Sequence, residues 1–284
     1  MRAGGWGGTS YAAGVTVPTS PESLAVFAPG IFAGRTALVT GGGSGIGRAT
    51  TLLLASLGAR VAITGRRPEA LAETVALAAD AGAEQPVLAI PCDVREPDEV
   101  DGLLDAVLAE LGRVDVLVNN AGGQFVSPAE SVSPKGFRAV TRLNLDATWY
   151  MTTQVAARSM IPGSGGTIVS ITMSPHRGTP GMAHSSAARA AVESLTRTLA
   201  AEWGQHGINL VAVAPGFVHT EAIAKYGVDT AAMASIVPLR RMQSADEVAA
   251  MIVFLASPAG RYLTGTTITA DGGIDVAGPG IVPL

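Results

Sequence analysis

Cysteine is nearly absent. Cys92 is the only one in 284 residues, so no disulfide can close within the chain and a cysteine-rich metal centre is excluded. Histidine is scarce too. His176, His184, His206 and His219 have no spacing that would gather them around zinc, and no metal site is expected. Charge is thin: 15% of residues are charged, the net charge is −4, and no long run of one sign occurs. That pattern argues against a nucleic-acid or membrane-surface partner. Long apolar runs are missing as well. The longest, 248–256, is far short of the ~20 residues that cross a bilayer. After Arg2 come glycines rather than the apolar block of a signal peptide. A soluble, cytoplasmic protein is the expectation.

Apolar residues, by contrast, make up 48% of the chain, enough for a large buried core. Residues 1–34 are rich in Gly, Ser, Thr, Pro and Ala and read as an irregular arm. From 35 to 284 no linker-like segment interrupts the pattern, so one domain is expected. Short apolar runs at 36–40, 61–64, 87–90, 114–119, 167–172, 209–213 and 267–270 read as strands. Helical patterns at 45–57, 68–82, 97–112, 136–161, 183–204 and 244–256 lie between them. Such alternation makes βαβ units, and the fold class expected is α/β: a Rossmann fold with a doubly wound, parallel, seven-stranded sheet flanked by helices. Residues 216–239 have weaker periodicity and read as a mobile flap over an active site.

The chemistry begins after the first strand. Thr40 is followed by Gly41, Gly42, Gly43, Ser44, Gly45, Ile46 and Gly47, directly between strand and helix. Glycines there let the backbone approach a pyrophosphate, and the N–H groups and dipole of the helix N-terminus favour its charge. The second strand ends in Gly65, Arg66 and Arg67. An acid near this point would hold the ribose 2′-hydroxyl of NAD; two guanidinium groups instead suit the 2′-phosphate of NADP(H). The alternative is that both arginines are a solvated helix start.

Several motifs stand in the order of the short-chain dehydrogenase/reductase family, which the chain resembles from about Phe32 to Asp275. TGxxxGxG matches Thr40 to Gly47. Cys92, Asp93 and Val94 match the adenine-contacting acid and its neighbours. Asn119, Asn120, Ala121 and Gly122 match NNAG, behind the cofactor. Asn144 matches the active-site asparagine, and Pro215, Gly216 and Thr220 the turn and threonine that hold the nicotinamide carboxamide. Within the family, four stretches are most similar to the peroxisomal-type trans-2-enoyl-CoA reductases and the 2,4-dienoyl-CoA reductases. They are Ala28-Pro-Gly30, the run from Asn120 to Phe125, Ser127-Pro-Ala-Glu130, and the run from His184 to Ala190. The resemblance implies a small-molecule substrate, an acyl thioester, and a homotetramer assembled through helices 97–112 and 136–161 and the segment near Asp271.

One departure bears on the reaction. The family's YxxxK gives a tyrosine that moves the substrate proton and a lysine that lowers its pKa and binds the ribose. Anchored on the Ala190-Ala-Val192 run, the tyrosine position is Ser185 and the lysine position Arg189, four apart and so on one helix face. The family's catalytic serine aligns with Met173, flanked by Thr172 and Ser174. The catalytic set implied is Asn144, Thr172, Ser185 and Arg189, with Arg189 also on the ribose. A serine hydroxyl is a far poorer acid than a phenol, and Arg does not release a proton near neutral pH. Hydride addition to an enoyl thioester makes an enolate, which needs only hydrogen-bond donors at its oxygen. Reduction of an α,β-unsaturated thioester is therefore the expected reaction. Reduction of another carbonyl or imine, and an NADP-binding protein without catalysis, stay open. His184, His176 and Tyr150 are other candidate donors, Cys92 reads as buried and inert, and Asp271-Gly-Gly273 as a turn near a subunit contact.

Overall fold

The computed structural model describes residues 26–163, 165–224 and 229–277. Seven strands form one parallel sheet in the order β3-β2-β1-β4-β5-β6-β9. They are β1 (Thr36–Thr40), β2 (Arg60–Gly65), β3 (Leu88–Pro91), β4 (Val116–Asn119), β5 (Gly166–Ile171), β6 (Ile208–Pro215) and β9 (Thr266–Ala270). Beside the sheet, β7 (Val218–His219) pairs with β8 (Gln243–Ser244). The main crossover helices are α1 (Gly45–Ser56), α2 (Pro68–Asp80), α3 (Pro97–Leu111), α4 (Pro134–Thr141) continuing through α5 (Ala147–Val155), α6 (Ala183–Trp203) and α9 (Ala245–Ala256). Each expected strand and helix is present, with ends shifted by two residues or fewer.

The central strands are mostly apolar and buried because helices cover both faces of the sheet. Alternate residues of one strand then serve two cores. Ala37 and Val39 of β1 face one, with Leu53 and Leu54 of α1 and Ile252 and Val253 of α9. Leu38 faces the other, with Leu103 and Leu104 of α3 and Met151 of α5. Strand order reverses between β1 and β4, and a crevice opens at the carboxyl ends of strands where such a reversal occurs.

Three expectations are modified. Of the arm at 1–34, residues 1–25 lie outside the described residues, but its end is packed: Phe32 is fully buried, and Phe27 and Ile31 lie against the same core. Burying one Phe side chain is worth about 1.5–3 kcal/mol, so the packed body begins earlier than residue 35. The helix expected at 136–161 begins at Pro134 and carries two π-helical turns, Arg142–Asp146 and Ala156–Met160. Residues 216–239 are not one irregular flap. Their described part includes β7 and two short helices, α7 (Glu221–Ala224) and α8 (Thr230–Ile236); residues 225–228 lie outside the described residues. A further short helix, α10 (Ile274–Ala277), follows β9.

Candidate active site

Hydrogen bonds between the ends of β1 and β4 shape the crevice. Thr40 Oγ1 accepts from the backbone N–H groups of Asn120 (3.0 Å) and Ala121 (2.9 Å), and Asn120 Nδ2 donates to Thr40 O (2.9 Å). The glycine turn is thereby held over residues 120–122. Gly41 and Gly45 have φ of +68° and +50°, the left-handed region that a side chain disfavours. A Cβ at Gly41 would also lie 2.8 Å from Asn120 Nδ2, and one at Gly45 3.2 Å from the Thr220 methyl. Helix α1 starts at Gly45, with no acid in its first turn and, among the described residues, no capping bond from the Ser44 hydroxyl. A helix start without an acid or a side-chain cap favours a nearby anion.

A cavity of about 740 Å³ runs from this turn across the carboxyl ends of the strands. Gly41, Gly43, Ser44, Gly45, Ile46, Arg66, Arg67, Asp93, Val94, Asn120, Ala121, Gly122, Pro215, Gly216 and Thr220 all line it, as do Thr172 and Arg189. Gly47 lies beneath the turn, where a Cβ would come within 2.2 Å of Gly41 O. Arg66 and Arg67 are exposed at the rim. Asp93 is held by Arg95 through paired charge-assisted hydrogen bonds, which with the Arg66 charge set its carboxyl below the usual range. The uncapped helix start and the tight glycines fit the pyrophosphate of a nicotinamide dinucleotide.

The residues expected to do chemistry are less uniformly placed. Arg189 is 8% exposed, donates Nη1 to Ile171 O and presses Nη2 against Gly122, where a Cβ would come within 2.2 Å. Burial pushes its guanidinium down to about 10, so it stays charged at neutral pH. It has no ion-pair partner among the described residues. Asn144 is fully buried in the first π-helical turn and lies behind the cavity wall. Its Oδ1 accepts from Gly123 N and its Nδ2 donates to Gly123 O, both at 3.0 Å. Ser185 is also fully buried behind the wall: its hydroxyl donates to Gln124 Oε1 (2.9 Å) and contacts Met173 Sδ at 3.7 Å. Bulk is exchanged between the two positions, because a thioether fills the space beside a shortened hydroxyl residue. Ser185 is therefore not on the cavity surface where a substrate oxygen would reach it. Thr172 is on that surface, and its hydroxyl donates over a long 3.3 Å to Val213 O.

The other candidates point elsewhere. Ser174 donates to Asp271, whose carboxylate also accepts from Gly273 N and Asp275 N, both at 2.8 Å. Tyr150 donates to the Asp101 carboxylate on α3 (3.1 Å) rather than toward the cavity. His184 is fully buried, with Nδ1 accepting from Ser185 N (2.8 Å) and its ring edge-on to Phe125. His176 faces Asp275 and Glu193. Burial pushes the Cys92 thiol up to about 11, which makes it a poor nucleophile. Sequence reasoning missed Gln124 and Met173 as wall residues and Asp271 as the anchor of Ser174. The last contact spans 97 positions, and no local pattern marks it. Among the described residues no cluster is placed to hold a metal ion, and no helix is long and apolar enough to cross a membrane.

Residues 41–275 match the family described as "Enoyl-(Acyl carrier protein) reductase". A probable 2,4-dienoyl-CoA reductase of Bacillus subtilis is 39% identical, over 84% of this chain and 96% of that protein. The peroxisomal 2,4-dienoyl-CoA reductase of Danio rerio is 34% identical, over 87% and 84%. A citronellol catabolism dehydrogenase of Pseudomonas aeruginosa superposes with a TM-score of 0.79 at 43% identity, covering 88% of this chain and 98% of that one.

Proposed function

The chain belongs to the short-chain dehydrogenase/reductase family of oxidoreductases, which use a nicotinamide cofactor, and from that premise we propose that it reduces α,β-unsaturated acyl thioesters with NADPH. One observation carries this reading. The cavity wall presents a buried cation, Arg189, while the hydroxyl at the phenol position, Ser185, is turned away onto Gln124. A ketone needs a proton on oxygen as it becomes an alkoxide. An enolate oxygen needs only a stabilising charge and donors, and carbon can take its proton later from water.

When bound, the cofactor supplies a hydride. The N–H groups at the start of α1 hold its pyrophosphate, and Arg66 and Arg67 hold the ribose 2′-phosphate. Asn120, Ala121 and Gly122 form the surface behind it, with Thr220 across from the glycine turn. Arg189 contacts the ribose and puts positive potential over the substrate oxygen. Because Arg189 is buried, its charge acts more strongly than it would in bulk solvent. Thr172 is the hydroxyl donor on the same wall, since its bond to Val213 is long enough to exchange. Ser185 and Asn144 act by holding Gln124 and Gly123 in place. The substrate is a small molecule carried as a thioester, and homotetramer assembly follows the family pattern.

A second reading has its own support: the 43% identical Pseudomonas aeruginosa protein is titled a citronellol catabolism dehydrogenase, so oxidoreduction of an alcohol or carbonyl is the alternative. NADPH absorbance followed with enoyl-CoA, dienoyl-CoA, ketone, imine and terpenoid alcohol or aldehyde panels separates the two. Turnover of the thioesters, with the saturated bond located by mass spectrometry, is expected. Turnover of carbonyls or alcohols alone would establish the second reading, and tight NADPH binding without turnover would leave a silent nucleotide-binding protein.

A further inference from the structure

The loop between β5 and α6, residues 172–182, contributes Thr172, Met173, Ser174, Thr179 and Met182 to the cavity wall. Its middle is gripped by two other elements. The backbone N–H of His176 donates to Asp275 Oδ1 (2.9 Å), its Nδ1 lies 2.9 Å from Asp275 Oδ2, and its Nε2 lies 3.2 Å from Glu193 Oε1. Asp275 belongs to α10 and Glu193 to α6. The neighbouring Arg177 donates Nη1 to Ile274 O (2.9 Å) and Asp275 O (2.6 Å), 3.8 Å from Asp275 Oδ1. Asp271 joins from behind by accepting the Asp275 N–H.

We propose that His176 is a positioning residue whose imidazolium, clamped between Asp275 and Glu193, sets the Met173–Met182 wall of the cavity. The chemistry of the ring supports this. Both ring nitrogens face carboxylate oxygens. A neutral imidazole has one N–H, so it must turn a lone pair toward one of the two acids, whereas the imidazolium donates to both. Burial works against the charge, but the hydrogen bond to Asp275 and the Glu193 charge outweigh it, so the pKa lies above the ordinary 6.5. Asp275 is held below its ordinary value, first by its hydrogen bond with His176.

The signs define a window. The histidine contribution is complete below its ordinary pKa and disappears as pH rises through the raised one. The Asp275 contribution is complete above its ordinary value and disappears as pH falls through the lowered one. Between those limits the ring is clamped at both nitrogens; above them one ring contact is lost, while the His176 N–H bond to Asp275 and the Arg177 and Ser174 tethers remain. That this wall faces a substrate rests on the functional reading above, whereas the clamp itself does not.

The test needs no turnover, so failure of the thioester reading leaves it intact. Methyl-labelled methionine NMR of the full chain follows Met173 and Met182, and the imidazole signals follow His176, across about pH 5–9. Both methyls are expected to shift with one midpoint, shared with His176 and above 6.5, the ordinary histidine value. In His176→Gln the methyl titration is expected to vanish. In Asp275→Asn the His176 midpoint is expected to fall. Methyl signals that do not follow pH, that titrate unchanged in His176→Gln, or a His176 midpoint unmoved by Asp275→Asn would overturn the proposal.

Discussion

On the NADPH reading proposed above, Arg66 is the residue on which cofactor choice would turn. It sits exposed at the cavity rim beside Arg67, close enough to Asp93 to lower that carboxyl. A carboxylate at the end of β2 would repel a 2′-phosphate; a guanidinium donates to it in a planar fork. One charge-assisted contact is worth about 1.5–3 kcal/mol, or roughly tenfold or more in affinity. Arg66→Ala is therefore expected to weaken NADPH binding by that factor and to leave NADH binding nearly unchanged, as read by calorimetry. Equal loss for both cofactors would remove Arg66 from the 2′-phosphate. At this scale the sequence is partly legible. The identity of Arg189 announces a cation, but burial decides that it lacks a carboxylate partner among the described residues. Ser185 shows the limit: the hydroxyl is plain in the sequence, yet its direction depends on Gln124, 61 positions away.

At the scale of elements, the glycine turn and the α1 N-terminus were readable because their requirements are local. The positive φ angles and the uncapped helix start need only a strand before and a helix after. The π-helical turn at Arg142–Asp146 is different. Periodicity predicts an uninterrupted helix, and an added residue within one turn barely disturbs that pattern. Such turns often occur at functional sites. Here the turn carries Asn144, whose amide satisfies both backbone groups of Gly123, next to the Gly122 that abuts Arg189. Asn144→Ala would leave the part-buried N–H and C=O of Gly123 unpaired, at a cost of at most about 1–3 kcal/mol. We expect chemical denaturation to register that loss and NADPH binding to weaken with it. Full stability combined with lost turnover would instead put Asn144 in the chemistry.

For the whole molecule, large apolar side chains remain on the surface. Phe137 and Trp149 lie on the α4–α5 helical stretch, Phe254 on α9, and Tyr262 is wholly exposed just before β9. The tetramer proposed from the family resemblance would cover Phe137 and Trp149, and a two-fold interface makes each surface serve both partners. We therefore expect light scattering at micromolar concentration to give a tetramer, and Trp149→Glu to shift it toward smaller species. A monomer in the unaltered protein would refute assembly through these faces.

The order of strands and helices, the parallel doubly wound sheet and the family were determined by sequence alone, because each follows from periodicity, strand length and short motifs. Tertiary structure decided which polar groups reach the cavity. Thr172 and Arg189 do so because β5 and α6 converge there, whereas Ser185 and Asn144 are drawn behind the wall by Gln124 and Gly123. It also joined Ser174 to Asp271 and His176 to both Asp275 and Glu193. Two of these contacts span almost a hundred positions. A hydrogen bond depends on distance in space, and only packing of the β5–α6 loop against the segment after β9 creates that distance.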